Sequence, residues 1–119
     1  MTLLLVMLGG AVGAPVRYLT DRWIQSRHQT RLPWGTWTVN VAGSFLLGAL
    51  AASQLGDPTM ALLGLGFCGA LTTYSTFGYE TVRLLESGAY AAALTYALGS
   101  IAAGLAAAFG GGALALALV

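Results

Sequence analysis

Charge is what this chain has least of. Nine of its 119 residues are ionised at neutral pH, five Arg and four Asp or Glu, and lysine is absent. The 8% charged fraction is about a third of the roughly 25% usual in soluble domains. A soluble fold of this size covers itself with charged and polar side chains, so a soluble domain is excluded. Cysteine occurs once, as Cys68, which excludes an intrachain disulfide and a cysteine-based zinc cluster. It reads as a small buried residue between helices. Acidic residues are missing from positions 1–20 altogether. The N-terminus also lacks a basic n-region, and Arg17, Tyr18, Asp21 and Arg22 stand where a small-residue cleavage site would fall. A cleavable signal peptide is therefore not expected. A net charge of +1 gives no reason to invoke nucleic acid.

What is present is apolar: 57% of residues are hydrophobic and the mean hydropathy is +0.77. A spanning helix needs about 20 residues. The chain is expected to be a single all-α membrane domain of four spans, over residues 2–23, 35–54, 59–86 and 89–109. The polar stretch from Ser26 to Pro33 reads as a loop, Gly56-Asp57-Pro58 as a tight turn, and Ser87-Gly88 as the separator of the last two spans. The run Gly110-Gly111-Gly112 is expected to end or kink the fourth helix, leaving a short apolar tail. Small residues recur at four-residue spacing, as in Gly9 and Gly13, Ser44 and Gly48, and Ser100 and Gly104. In lipid such faces let helix backbones approach closely.

The third span carries the most informative stretch, Gly69-Ala70-Leu71-Thr72-Thr73-Tyr74-Ser75-Thr76-Phe77. Five of these nine positions are hydroxyl residues and three are β-branched threonines, which is poor helix-forming sequence. Non-helical chain at membrane depth survives only where protein, an ion or a water-filled path satisfies its backbone. In transporters, interrupted helices mark ion sites. A functional break near residues 69–76 is the expectation.

Opposite it, Thr36, Asn40 and Ser44 recur at i, i+4 and i+8 on one helical face. Tyr96 and Ser100 do the same on the fourth helix. Intramembrane polar residues face the bundle interior or a cavity. The stripe reads either as helix–helix hydrogen bonding or as a conduction path. Among the charges, Arg17 with Asp21, and Glu80 with Arg83 and Glu86, have spacings that allow pairing. Arg17 shares an inward face with Gly9 and Gly13. Trp23, Trp34 and Trp37 flank the first loop as interfacial anchors, which places Arg27, His28 and Arg31 outside the bilayer. No nucleophile–base pair, phosphate loop or metal-ligand cluster is present in the sequence, so nothing argues for an enzyme.

Three motifs in order give the chain a family resemblance. Gly9-Gly10-Ala11-Val12-Gly13-Ala14 with Arg17-Tyr18 resembles the first-helix signature of the CrcB/Fluc small fluoride channels. Gly35-Thr36-Trp37-Thr38-Val39-Asn40-Val41-Ala42-Gly43-Ser44-Phe45 resembles that family's G-T-x-x-V-N-x-x-G-S-F. Residues 69–77 with Glu80 resemble its G-G-L-T-T-F-S-T-F-x-x-E. The resemblance implies an antiparallel, dual-topology dimer with a broken third helix, in which residues of both subunits line fluoride pathways. It implies a structural sodium ion at the dimer centre, held by backbone carbonyls that here fall on Gly69 and Thr72. The family's two aromatic residues fall on Tyr74 and Phe77, its pore asparagine on Asn40, and its fourth-helix hydroxyl track on Tyr96 and Ser100. Thr36 and Ser44 extend the path, with Arg17 and Glu80 as supporting charges. Tyr74 departs from the family phenylalanine by a hydroxyl, Ala70 replaces a glycine, and Gly104 stands where the family can carry a serine.

The expected function is passive fluoride export across the cell's inner membrane. One alternative is a small multidrug-type antiporter, which the absence of Asp and Glu from residues 1–20 opposes. Another is a non-transporting membrane assembly subunit, which leaves the Asn40 stripe unexplained. Orientation sets the sequence against itself. Arg22, Arg27, Arg31 and Arg83 all fall on one side and none on the other, whereas dual topology needs a weak bias. An antiparallel homodimer is the expectation, with a heterodimer of oppositely oriented paralogues as the alternative.

Overall fold

The computed structural model describes residues 2–27 and 32–118, and all of its regular structure is helical. Expectations for His28 and Arg31 fall outside the described residues. Helix α1 is Thr2–Arg27, α2 is Trp34–Ala52, and α6 is Tyr90–Leu118. Between them the third pass is assembled from α3 (Asp57–Thr59), a π-helical segment (Met60–Cys68), α4 (Gly69–Leu71) and α5 (Ser75–Glu86). Four passes, Thr2–Arg27, Trp34–Ala52, Asp57–Glu86 and Tyr90–Leu118, are long and apolar enough to cross a membrane. The molecule measures 47 × 30 × 22 Å, and its long axis matches the roughly 40–45 Å of a bilayer with its headgroups.

Glycine sets the packing. Helix α1 lies along the π-helical segment, where Cβ atoms on Gly9 and Gly66 would run into each other's backbone: one on Gly9 would stand 2.7 Å from the Phe67 amide nitrogen. Helix α2 lies along α6 in the same way. A Cβ on Gly48 would strike the Ala108 backbone and one on Gly111 the Phe45 carbonyl. These contacts explain why the glycine run at 110–112 does not end the last helix. Its missing side chains face α2, and α6 continues to Leu118.

Local signals fix the ends. Gly88 takes φ +83°, with its N–H bonded to the Leu85 carbonyl (3.1 Å) and that of Ala89 to the Leu84 carbonyl (2.9 Å). This double bond around a left-handed glycine closes α5. At the other end of α2, the Gly35 N–H donates to Gln25 Oε1 at 2.9 Å, and Trp34 and Trp37 meet edge to face at 5.7 Å. The small core between α5 and α6 gathers Leu84, Ala89, Ala93 and Tyr96, with Phe77 and Trp37 packed against it.

Candidate functional site

Helical structure in the third pass stops at Leu71 and resumes at Ser75. Thr72 is extended, with φ −82° and ψ 161°. Its N–H and its hydroxyl both bond the Cys68 carbonyl at 3.0 Å. Next to it the Asn40 side chain, reaching across from α2, bonds the Thr73 main chain at two points. Thr73 N–H donates to Asn40 Oδ1 at 2.7 Å, and Asn40 Nδ2 donates to the Thr73 carbonyl at 3.0 Å. The Thr73 hydroxyl then accepts the N–H of Thr76 at 3.1 Å, in the first turn of α5. Gly43 of α2 lies directly under the Thr72 methyl, where a Cβ would not fit.

Around this interruption lies a cavity of about 520 Å3, whose lining includes Asn40, Ser44, Thr72, Tyr74, Phe77 and Ser100. The Ser100 hydroxyl is buried without a hydrogen-bond partner among the described residues. Gly69 and Gly104 are on the same wall, and a Cβ on Gly104 would lie 3.6 Å from Ser44 Oγ. The aromatic residues form a chain leading away from the cavity. Tyr74 and Phe77 are 6.4 Å apart between ring centroids, and Phe77 and Tyr96 are 5.2 Å apart. Tyr74 projects outward and is 87% exposed, whereas Tyr96 is buried.

Beyond the rings comes a polar group. The Tyr96 hydroxyl donates to Glu80 Oε1 at 3.2 Å, and the buried Thr36 adjoins both. Eight sequence candidates thus fall into two connected sets. Asn40, Ser44, Tyr74 and Ser100 surround the cavity, Phe77 bridges, and Thr36, Tyr96 and Glu80 continue from it. Arg17 joins neither, and among the described residues it forms no ion pair with Asp21. Glu80 and Arg83 attract each other electrostatically, but among the described residues they form no direct salt bridge. Arg83 stands over the Tyr79 ring at 5.9 Å instead.

Two residues take places that the sequence did not indicate. Asp21, whose spacing suggested a pair with Arg17, is pressed against Gly35, and among the described residues its Oδ1 is buried and unpartnered. Thr73, within the threonine-rich stretch, bonds Asn40 of α2 and Thr76 of α5.

The sequence matches known proteins over nearly the whole chain. A family model described as CrcB-like protein, Camphor Resistance (CrcB), matches residues 4–112. The chain belongs to the CrcB family. This CrcB-family chain is 54% identical over 115 residues to a protein of Streptomyces avermitilis named Fluoride-specific ion channel FluC 1, covering 93% of each chain. It is 52% identical over 127 residues to the protein of that name from Frankia casuarinae, covering 99% of this chain and 98% of the other. With the Thermobifida fusca protein of the same name it shares 50% over 119 residues, all of this chain and 96% of that one. The CrcB-family match spans all four passes, and the cavity-lining residues lie inside it.

Proposed function

We propose that this chain is a fluoride channel that lets fluoride leave the cell passively and keeps its internal concentration low. The observation that carries the reading is the cavity at the third-pass interruption, where Asn40, Ser44, Tyr74, Phe77 and Ser100 meet in a chain 54% identical to a protein named as a fluoride-specific channel. Fluoride is a small, strongly hydrated anion, so a path for it must replace water with donors that do not hold it too long. Hydroxyls and an amide N–H supply hydrogen bonds. The edge of an aromatic ring is electropositive and offers a weak, shape-restricted partner, favourable enough to enter and weak enough to leave. Phe77, between the cavity and the Tyr96–Glu80–Thr36 group, sits where such a partner is needed. Fluoride crosses membranes as the neutral acid and is trapped inside as the anion. With the inside negative, each anion leaving gains about 2.3 kcal/mol per 100 mV.

The working unit in this reading is an antiparallel homodimer in the cell's inner membrane. A break in the third helix carries a structural sodium ion at the two-fold axis, held by the carbonyls of Gly69 and Thr72. The donor set fits such an ion: the Thr72 N–H to Cys68 carbonyl bond closes the helical ladder before the extended Thr72. Carbonyl oxygens beyond it are hard donors suited to a hard cation. Two copies related by a two-fold axis would double the set. The ion would neutralise carbonyl dipoles and hold the interruption open, and it would not be transported. The outward Tyr74 supports a partner subunit, because a ring 87% exposed in one copy has room to enter another.

The deciding experiment is fluoride-electrode recording of efflux from liposomes holding the purified protein, with chloride-loaded liposomes as control. Fluoride release over minutes with no chloride release is the expected result. Equal release of both, or none, overturns the reading.

A further inference from the structure

Two amides at the interruption bond to side chains where an unbroken helix would send them to carbonyls four residues earlier. Thr73 N–H would go to the Gly69 carbonyl and instead goes to Asn40 Oδ1 at 2.7 Å. Thr76 N–H would go to the Thr72 carbonyl and instead goes to the Thr73 hydroxyl at 3.1 Å. Among the carbonyls that lose their i+4 donors at the interruption, these are the two whose donors are held by Asn40 and Thr73, and they are the pair that the sodium reading uses. From this coincidence we infer that Asn40 and Thr73 are positioning residues that create the carbonyl cation site, in addition to any contact Asn40 makes with the anion. The inference rests on the sodium reading of the same site and deepens it.

The geometry explains how the device works. The Thr73 N–H and the Thr72 carbonyl belong to one planar trans peptide and point in opposite directions. Fixing the N–H on Asn40 therefore turns the Thr72 oxygen away from α2. The second bond, from Asn40 Nδ2 to the Thr73 carbonyl at 3.0 Å, fixes the next peptide and holds the extended stretch against twisting back into helix. A primary amide offers an acceptor and a donor side by side at any pH. Asn40 Nδ2 keeps one further hydrogen, and Asn40 lines the cavity. One side chain thus touches the anion cavity and sets the cation site, so occupancy of the two sites is coupled through it. Reciprocity then requires each ion to alter the other's affinity by the same factor.

The test reads sodium binding directly rather than flux. Thermal stability of the purified dimer is titrated with sodium, using N-methylglucamine to hold ionic strength, for wild type, Asn40→Ala, Thr73→Val and Ser44→Ala. Wild type should show a saturable sodium midpoint. Asn40→Ala and Thr73→Val should each raise that midpoint at least tenfold, and Ser44→Ala, which lines the cavity but bonds neither amide, should move it less than twofold. Thr73→Val preserves shape and keeps the question open to measurement if Asn40→Ala does not fold. In wild type, hydrogen exchange at the Thr73 amide should slow when sodium replaces N-methylglucamine. A sodium-dependent wild type with both variants unshifted overturns the inference and leaves the sodium reading standing. A shift in Thr73→Val alone overturns the role of Asn40. A wild type indifferent to sodium overturns the sodium reading and this inference with it.

Discussion

In the proposed pathway the anion chemistry would turn on Phe77, because it touches both sets of candidates: Tyr74 by the cavity and Tyr96 beyond it. Isoleucine keeps apolar bulk and lacks an electropositive edge. Phe77→Ile should lower fluoride efflux at least 100-fold while the protein still elutes as a dimer, and normal efflux from that dimer would remove the ring from the path. Tyr74 tests the same idea from the opposite direction. Its ring is exposed, and its hydroxyl bonds nothing among the described residues. Tyr74→Phe should hold efflux within about threefold, and Tyr74→Ile should fall with Phe77→Ile. A collapse in Tyr74→Phe would assign the work to the hydroxyl. Asn40 was legible in the sequence as an amide that a membrane interior cannot leave unbonded. Its partner was not, because Thr73 lies 33 positions away and nothing in local spacing points to it.

At the scale of the element, glycine has two meanings that composition cannot separate. Gly88 ends a helix by taking positive φ, and the sequence suggested as much. Gly111 was expected to end one too, yet it sits mid-helix against the Phe45 carbonyl. Its purpose lies in its neighbour, which is why the helix boundary could not be read. The π-helical register of Met60–Cys68 was hidden for a similar reason: it belongs to packing against Gly9 and Gly13 of α1, and the segment's own residues are merely apolar. The non-helical residues 72–74, in contrast, lie inside the threonine-rich stretch whose poor helix propensity is local. Gly111→Val should destabilise the fold by about 1–3 kcal/mol through overpacking, measurable as a drop in melting temperature of the detergent-solubilised protein. Gly99, with nothing within 4 Å of a built Cβ, is the contrast. Gly99→Ala should leave the subunit's stability unchanged or raise it by up to about 1 kcal/mol, and equal losses in both variants would contradict the packing assignment.

For the whole molecule, orientation is the open tension. Arg22, Arg27 and Arg83 cluster at the end that joins α1 to α2 and α5 to α6. All three are held locally: Arg22 donates to the Tyr18 hydroxyl at 3.1 Å, Arg27 stands over the Trp23 ring at 4.7 Å and Arg83 over the Tyr79 ring at 5.9 Å. Those contacts keep the charges at the interface and leave the number of positive charges unchanged. An antiparallel homodimer requires half the copies to insert against that bias. Ser87→Cys in a Cys68→Ser background, expressed alone, should label with an impermeant maleimide from both faces of the membrane. Labelling from one face only, with no fluoride efflux, would favour pairing with an oppositely oriented paralogue.

The last helix has a further consequence. Tyr90–Leu118 is 29 residues long, which at 1.5 Å per residue is about 43 Å, and it carries no ionised side chain from end to end. The hydrocarbon core it crosses is about 30 Å thick. Beyond Ser100 the helix has no polar side chain to mark where the membrane stops, so that end is free to tilt or to slide in depth. Its close seating on α2 through Gly48 and Gly111 transfers any tilt to the helix that bears Asn40. Bilayer thickness thereby becomes a control variable for the site. In vesicles of lipids with 14-, 18- and 22-carbon monounsaturated tails, efflux per protein should peak at one thickness and fall severalfold on either side. A flat response would mean that the α2–α6 pair moves as a rigid raft on which the bilayer has no purchase.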